Sequence, residues 1–333
     1  MLSKILETLY TKVFINIIIG YTKSIVYTEV VSKGVVVSSD TKEFKTGTLN
    51  NEMHEHLKSC ISQSPYHYIT ILDKSVNQGA LPTCRDVKNY IDISTLHTVC
   101  VDNDWTFYTS QESIKDLKYE YQSVGVDLIF SPFPILVTFF KDKIDTSLSI
   151  FALVEEKNIS LCVFNNGKLL YAEYLHIKNM KSDDNLMMDT ILEDDEDEIA
   201  LDLDDIDLDD IDADDDITSL EDFGDIEDLS NDLDIEEFSE AQEIVNKEDE
   251  KEVSAEDFND DYNKFLMIQD SIHNFYQDEK YDSEFVEHIY IADSIGVSLD
   301  LKKYLEEEMF LTVVVRKIEL GEKLSTMAKV EIL

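Results

Sequence analysis

Few residues of this chain have the type and spacing that chemistry requires. His54 and His56 form the one close histidine pair, inside a segment predicted to be helical. At positions i and i+2 of a helix the two rings point about 200° apart, so they could not share a metal ion. His56 and Cys60 share a face, and His97 lies three residues before Cys100, but neither pair has a second pair to complete a tetrahedral site. The sequence therefore predicts no metal site and no catalytic residue.

The common phosphate-binding and catalytic loop motifs are absent. There is no Gly-x-x-x-x-Gly-Lys-Ser/Thr, Gly-x-Gly-x-x-Gly, Gly-x-Ser-x-Gly or His-Glu-x-x-His sequence. The nine glycines are not clustered, so no loop is well suited to close its amides around a triphosphate. Asp-rich repeats over 201–216 lack the glycine and terminal glutamate of a calcium-binding EF-hand loop, which favours a solvated linker over a specific Ca²⁺ site.

Acidic residues are concentrated in one internal tract. The chain carries a formal net charge of −44, and residues 181–260 hold about 37 of its 72 Asp and Glu residues with only three lysines. Self-repulsion and the scarcity of apolar clusters predict that this tract is disordered. The strong acidity of the chain argues against nucleic acid or an anionic membrane as a binding partner, although the residues outside the tract have a net charge of only about −10.

The cysteines indicate a reducing compartment, and the first residues bear on whether the chain has a membrane span or a signal peptide. The four cysteines contain no Cys-x-x-Cys pair and are predicted to be buried free thiols, with neither a disulfide nor a metal: Cys60, Cys84, Cys100 and Cys162. The apolar run 13–19 contains Asn16 and is too short to span a membrane, and it lacks a signal-peptide cleavage pattern. We therefore expect a soluble, cytoplasmic protein.

The first half of the chain has the pattern of strands with a few helices. Ser110 and Gly125 are the expected N-cap and C-cap signals of one helix, and Trp105 is expected in the core. Residues 78–82 are predicted to be a loop, and 131–134 to end a strand. Strands are predicted over 13–19, 24–31, 35–38, 66–72 and 126–130, and helices over 51–62 and 110–123.

The second half alternates strands and helices, which predicts a mixed α/β body. Asn165-Asn166-Gly167 is a strong hairpin signal between two of the strands. One amphipathic helix should bury Phe265, Ile268, Ile272 and Phe275. Strands are predicted over 147–155, 158–164, 168–176, 286–292 and 310–315, and helices over 262–276 and 298–308.

Three segments resemble a known family. Residues 15–27, with Gly20 and Thr22 in a turn between two strands, are similar to the opening of actin-like proteins. The hairpins over 150–173 look like a second such opening, and 288–298, with Asp293 and Gly296, looks like a third strand-and-loop unit. The chain thus resembles the actin-like proteins of pilus assembly and type II secretion, of the PilM and cytoplasmic GspL kinds, and more distantly FtsA.

The resemblance implies an α/β, actin-like (ribonuclease H-like) fold. Its two-lobed body would be interrupted by the long disordered acidic insertion. The first lobe would comprise 1–134 and the second 135–180 with 262–333, while 181–261 would form the insertion.

The departures from the family pattern predict that ATP binding has been lost. Asn16 and Ile18 stand where the first phosphate loop has an acidic residue. The second loop, 152–158, has neither Gly nor Thr, and its Glu155 and Glu156 would face phosphates with like charge. In the third loop only Gly296 remains. A remnant nucleotide cleft would be marked by Gly20, Thr22, Asp293 and Gly296, with no cofactor bound.

Together these expectations predict that the protein is a non-catalytic actin-like scaffold. It would serve a pilus, type II secretion or DNA-uptake machine from the cytoplasm, peripheral to the inner membrane through a partner. The resemblance implies that this partner is the cytoplasmic tail of a bitopic inner-membrane assembly protein, with the assembly ATPase as a further candidate. Two alternatives stay open: an active actin-like or sugar-kinase-like ATPase with an atypical site, and an interaction protein whose acidic tract binds a basic partner.

Overall fold

The computed structural model describes residues 10–177, 255–277, 285–297 and 299–332. Of the predicted acidic insertion, 181–261, residues 181–254 lie outside the described residues. Its last residues belong instead to a helix that begins at Ala255, earlier than the predicted start at 262.

The first sheet has five strands built around a buried central strand. β1 (Lys12–Ile19), β2 (Ser24–Ser32) and β3 (Val35–Phe44) form an antiparallel meander, while β4 (Tyr66–Leu72) runs parallel to β1 and β8 (Leu128–Phe130) parallel to β4. The strand order is β3-β2-β1-β4-β8. β1 is apolar along nearly its whole length because both faces of the sheet are covered.

The helix that covers one face of this sheet begins and ends near the predicted residues. α1 (Asn51–Ile61) starts after Asn50, whose side chain accepts a hydrogen bond from the backbone N–H of Met53 at 2.8 Å. Met53 and Leu57 are fully buried against the sheet. The apolar spacing of four residues thus fixes which side of α1 faces the core.

A small antiparallel sheet is inserted between β4 and β8. It consists of β5 (Gln78–Leu81), β6 (Leu96–Val101) and β7 (Trp105–Ser110), in the order β5-β7-β6. The predicted loop at 78–82 is wrong, because residues 78–81 pair with β7 and all four are buried. A strand that is buried on both faces does not alternate apolar and polar residues. From the sequence it can be recognised only as a continuous apolar run, and Gln78 and Gly79 interrupt such a run here. Trp105 is buried as predicted.

The prediction of four free thiols is wrong for two cysteines. Cys84 and Cys100 form a disulfide, whereas Cys60 and Cys162 are free and buried. The two bonded residues lie 16 apart in sequence, with Cys84 just after β5 and Cys100 near the end of β6. They meet because β5 and β6 both pair with β7, and this pairing could not be read from the cysteine spacing.

Helix α2 (Gln111–Glu120) follows the small sheet. The Ser110 side chain accepts from the backbone N–H groups of Glu112 and Ser113, which confirms the predicted cap. The predicted C-cap is wrong, because α2 ends at Glu120 and its C-cap is Tyr121. Gly125 lies in the turn that follows, where it has a φ of +85° and donates its N–H to the Tyr121 carbonyl at 2.8 Å.

Two short helices then connect the sheets. They are α3 (Pro132–Phe139) and α4 (Lys141–Ile144). The predicted strand end at 131–134 is wrong beyond Ser131, since Pro132 occupies the first turn of α3, where a missing N–H carries no penalty.

The second sheet repeats the order of the first. β9 (Ser149–Val154), β10 (Asn158–Asn165) and β11 (Lys168–His176) form an antiparallel meander, and the predicted Asn-Gly turn joins the last two. β12 (His288–Asp293) runs parallel to β9, and β13 (Thr312–Lys317) parallel to β12. The resulting order is β11-β10-β9-β12-β13.

Three longer helices complete the described chain: α5 (Ala255–Gln277), α6 (Leu299–Glu308) and α7 (Leu320–Ile332). In α5 the four predicted core residues are buried: Phe265, Ile268, Ile272 and Phe275. No helix in the described parts of the chain combines the length and apolarity needed to cross a membrane.

α7, for which no element is predicted from the sequence pattern, returns to the first sheet. Lys329 Nζ lies 2.5 Å from a carboxylate oxygen of buried Glu29, and Ser325 Oγ donates to the same carboxylate at 2.7 Å.

The two large sheets have the same connectivity. In each, three antiparallel strands are followed by two strands parallel to the first, in the order 3-2-1-4-5. This duplicated arrangement defines an actin-like (ribonuclease H-like) two-lobed fold. The fold class predicted from the sequence is therefore confirmed.

Candidate functional site

The first and second sheets each contribute a hairpin turn to one region, called the cleft below, where the two turns contact each other. The turn after β1 contains Gly20, whose N–H donates to the Lys23 carbonyl at 2.9 Å. A Cβ on Gly20 would lie 2.2 Å from that carbonyl oxygen, so only glycine fits this tight turn. The turn leaves the backbone N–H groups of Tyr21 and Thr22 pointing out of the first sheet.

Those two amides are bound by a carboxylate from the second sheet. Glu156, in the turn after β9, accepts from Tyr21 N at 3.0 Å and from Thr22 N at 3.1 Å through one oxygen, Oε2. Adjacent backbone N–H groups of this kind form a natural anion site. Here the anion is a side chain of the same protein.

The neighbouring glutamate is buried against a lysine. Glu155 is 2 % exposed, and its Oε1 lies 2.7 Å from Lys74 Nζ, at the end of β4. The contact is a close ion pair that lacks the angular geometry of a hydrogen bond. The pair joins the second sheet to the first.

A polar network around Asp73, the residue before Lys74, reaches the small sheet. Buried Asp73 accepts from Thr109 Oγ1 at 2.6 Å and from Ser75 N at 2.9 Å. Burial raises the pKa of Tyr174 strongly above its ordinary value, and the charges of Glu155 and Asp73 raise it further. At neutral pH Tyr174 therefore stays a neutral phenol.

The third loop follows β12, and its backbone amides donate to the side chain of its own Asp293. Asp293 Oδ1 accepts from Ile295 N at 3.0 Å and from Gly296 N at 2.7 Å. Gly296 has a φ of +89°, which glycine adopts without strain. Ser294 Oγ donates to the Val154 carbonyl at 2.8 Å, which fixes this loop beside the turn after β9.

The predicted remnant-cleft residues thus fall into two groups. Gly20 and Thr22 lie in the turn bound by Glu156, and Asp293 and Gly296 lie in the loop that contacts the end of β9. Both groups flank the same hairpin of the second sheet.

The residues present do not fit a triphosphate. The amides of the first turn are held by Glu156, Lys74 is paired with Glu155, and the amides of the third loop are held by Asp293. A phosphate chain would have to displace or face three carboxylates, which repel it.

Among the described residues, no group of three or more His, Cys, Asp or Glu side chains lies close enough together to hold a metal ion. His56 and Cys60 do meet, with Nε2 3.6 Å from Sγ. Burial, and then the charge of Lys42, lower the pKa of His56, while burial raises the pKa of Cys60.

A separate cavity of about 360 Å³ lies where the small sheet approaches α3, α4 and the turn between β10 and β11. Its lining combines apolar side chains with an excess of carboxylates, which suits an apolar peptide segment carrying a basic residue. The lining includes Trp105, Val137, Ile144 and Phe164 together with Asp102, Asp104, Asp145 and Lys141.

Two family models match the chain. Residues 150–333, more than half of its length, match the family described as Domain of unknown function DUF8341, and residues 10–137 match Domain of unknown function DUF8569. The chain belongs to the DUF8341 family. No curated protein is detectably similar to it in sequence.

Several solved structures are similar to the chain. A Bacteroides thetaiotaomicron protein with an actin-like ATPase fold and unknown function is 9 % identical with a TM-score of 0.48, over 98 % of both chains. A structure of the PilM–PilN type IV pilus biogenesis complex is 10 % identical with a TM-score of 0.44, over 93 % of this chain and 89 % of that one. The PPX-GPPA enzyme of Aquifex aeolicus, with a TM-score of 0.25, is similar over 50 % of this chain.

Sequence reasoning missed two parts of the cleft. Lys74 was not singled out, although it directly follows the β4 strand and Asp73, at the carboxyl end where cleft residues gather. The role of Glu156 as an acceptor for amides of the other sheet was also missed. Its signal was the loop 152–158, which lacks the Gly and Thr of the actin-like phosphate-loop pattern and contains Glu155 and Glu156 instead of uncharged residues.

Proposed function

We propose that this protein is a non-catalytic actin-like scaffold of a pilus, type II secretion or DNA-uptake machine. The observation that carries the proposal is the contact of Glu156 with the Tyr21 and Thr22 amides. It places a carboxylate at two adjacent amides of the first turn, where a nucleotide-dependent actin-like protein would need to accept a phosphate. The two lobes are thereby joined by the chain itself rather than by a ligand.

Nucleotide binding tests the first half of this proposal. ATP with Mg²⁺ is titrated into the full-length protein by calorimetry, and phosphate release is followed in parallel. We expect neither heat of binding nor hydrolysis. Saturable binding or turnover would overturn the non-catalytic role and favour the atypical ATPase.

The partner is proposed to be the cytoplasmic tail of a bitopic inner-membrane assembly protein, held in the cavity beside Trp105 and Val137. The acidic and apolar lining supports a tail that carries basic and apolar residues, as cytoplasmic segments next to membrane spans commonly do. The protein would then lie at the inner membrane through this partner.

Tail peptides test the second half. Labelled tails of single-pass membrane proteins encoded beside this gene are titrated with wild-type protein and with Val137→Arg. We expect one tail to bind, and the variant to weaken it about tenfold through charge and bulk. Val330→Arg, on the exposed side of α7, is the matched control. Deletion of 185–254, which stops before α5, should leave binding unchanged, and a loss of binding would instead assign the interaction to the acidic tract.

A further inference from the structure

Two exposed phenylalanines lie at the end of the second sheet opposite the cleft. Phe310 is 81 % exposed and Phe285 is 69 % exposed. Phe285 precedes β12 and Phe310 precedes β13, and these strands are parallel neighbours with His288 opposite Thr312. The Thr312 N–H also donates to the Glu287 carbonyl at 2.8 Å, so both rings belong to the same edge.

This edge is remote from the cleft. Asp293 marks the cleft end of β12, and six residues of strand span about 20 Å. A partner bound at the two phenylalanines would therefore not compete directly for the cleft residues. We call Phe285, Phe310, Glu287 and Glu308 the phenylalanine edge.

Phe310 also has an unfavourable backbone conformation. Its φ is +55°, in the left-handed region that bulky residues rarely adopt. It stands just beyond α6, at the position where helices commonly place glycine for this reason. An exposed benzyl ring gains no burial that would offset this strain, so the isolated chain derives no stability from having Phe rather than Gly there.

The charges around the two rings indicate what covers them. On α6 Lys302 pairs with Glu306 and Lys303 with Glu307. Glu308 and Glu287 are exposed and have no cation at ion-pair distance among the described residues. A second copy of this acidic chain, or an anionic membrane, would bring like charge to this edge.

We propose that the phenylalanine edge is a docking surface for a protein segment that presents apolar side chains flanked by Lys or Arg. The two rings supply the apolar contact, and the two glutamates supply the electrostatic complement. The strain at Phe310 persists because the ring is needed for this contact. This inference stands independently of the cleft and of the proposed scaffold role.

A basic apolar peptide tests the surface. The probe is a fluorescein-labelled repeat of Leu-Lys-Lys-Leu-Leu-Lys-Leu, titrated by anisotropy with the full chain at about 0.15 M salt, where long-range attraction by exposed charges is screened. We expect Phe310→Gly to weaken binding about tenfold. Val330→Ser removes a 79 % exposed apolar side chain elsewhere and should leave affinity unchanged.

Thermal unfolding separates binding from folding. Because Gly relieves the left-handed strain, Phe310→Gly should raise the Tm by about 2 °C. A Tm below that of the wild type would show that Phe310 stabilises the fold. If Phe310→Gly bound the peptide as tightly as the wild type, Phe310 would not contribute to docking. Either result overturns the proposal, as does a wild-type chain that fails to bind the probe.

The charge complement and the occupant are tested separately. The double variant Glu287→Lys with Glu308→Lys should weaken peptide binding several-fold. An unchanged affinity would show that the two glutamates do not contribute to binding. Benzoylphenylalanine at position 310 is then photo-crosslinked in the source cells, with position 330 as control. A crosslink mapped to a Lys- or Arg-rich segment of another protein supports the proposal. A crosslink to this chain itself, to lipid, or to nothing overturns it.

Discussion

The turns after β1 and after β9 occupy equivalent places in two sheets of the same strand order, yet their chemistry is opposite. The first offers backbone donors, the N–H groups of Tyr21 and Thr22. The second offers carboxylates, Glu155 and Glu156. Donors on one lobe and acceptors on the other make the two turns complementary to each other.

This difference indicates how a duplicated fold can be joined without a ligand. Glu156 binds the amides of the opposite turn, and Glu155 binds Lys74 of the opposite sheet. Lys157, the next residue, pairs with Asp260 of α5 at 3.0 Å and lies 5.9 Å from the centre of the Tyr21 ring. Three successive residues of one turn thus contact three other elements.

The largest effect should come from breaking the buried ion pair. Lys74→Met would leave the Glu155 carboxylate buried without a counter-charge, so we expect the free energy of unfolding to fall by about 3 kcal/mol. Urea unfolding at pH 7 measures it. Lys23→Met, which breaks an exposed pair with Glu43, is the control and should change stability by less than about 1 kcal/mol. Equal effects of the two variants would contradict the importance of the cleft pair.

High pH should report on the burial of Tyr174, which lies near the same carboxylates. Its pKa is raised in the folded state by burial, Glu155 and Asp73, whereas in the unfolded chain the phenol ionises near pH 10. The folded state therefore keeps more protons above pH 10, and stability falls as pH rises. From pH 10 to 11 the wild type should lose about 1 kcal/mol more than Tyr174→Phe. Equal losses of stability in the two proteins, measured by urea unfolding at pH 10 and at pH 11, would show that Tyr174 ionises as readily in the folded protein as in the unfolded chain.

The smallest effect should come from removing the exposed carboxylate of Glu156. Glu156→Ala removes the acceptor of two amides that water can reach, so we expect a loss of about 1 kcal/mol. Glu156→Gln keeps an acceptor oxygen and should lose less. Urea unfolding of both variants measures the difference. An alanine variant as stable as the wild type would mean that Glu156 does not hold the two turns together.

Local patterns predicted much of the fold. The spacing of Phe265, Ile268, Ile272 and Phe275 identified the buried face of α5, and Ser110 identified the start of α2. Such signals lie within one or two turns of chain, where periodicity and capping act. The repeat of two strand meanders could be recognised because each is built from consecutive segments.

Features that depend on distant segments could not be predicted in this way. β5 is a strand only because β7 pairs with it, and the Cys84–Cys100 disulfide follows from the same small sheet. Lys74 and Glu155 are 81 residues apart in sequence, and neither residue carries a local sign of its partner.

The sequence by itself determined the α/β alternation, the capped helices, the acidic tract and the lack of a glycine-rich phosphate loop, because each depends on residue type and short spacing. The tertiary structure alone decided that the carboxylates of one turn bind the amides and the lysine of the other lobe. It also placed two exposed phenylalanines at one sheet edge. These outcomes depend on which strand ends meet, and that is set by the pairing of β1 with β4 and of β9 with β12.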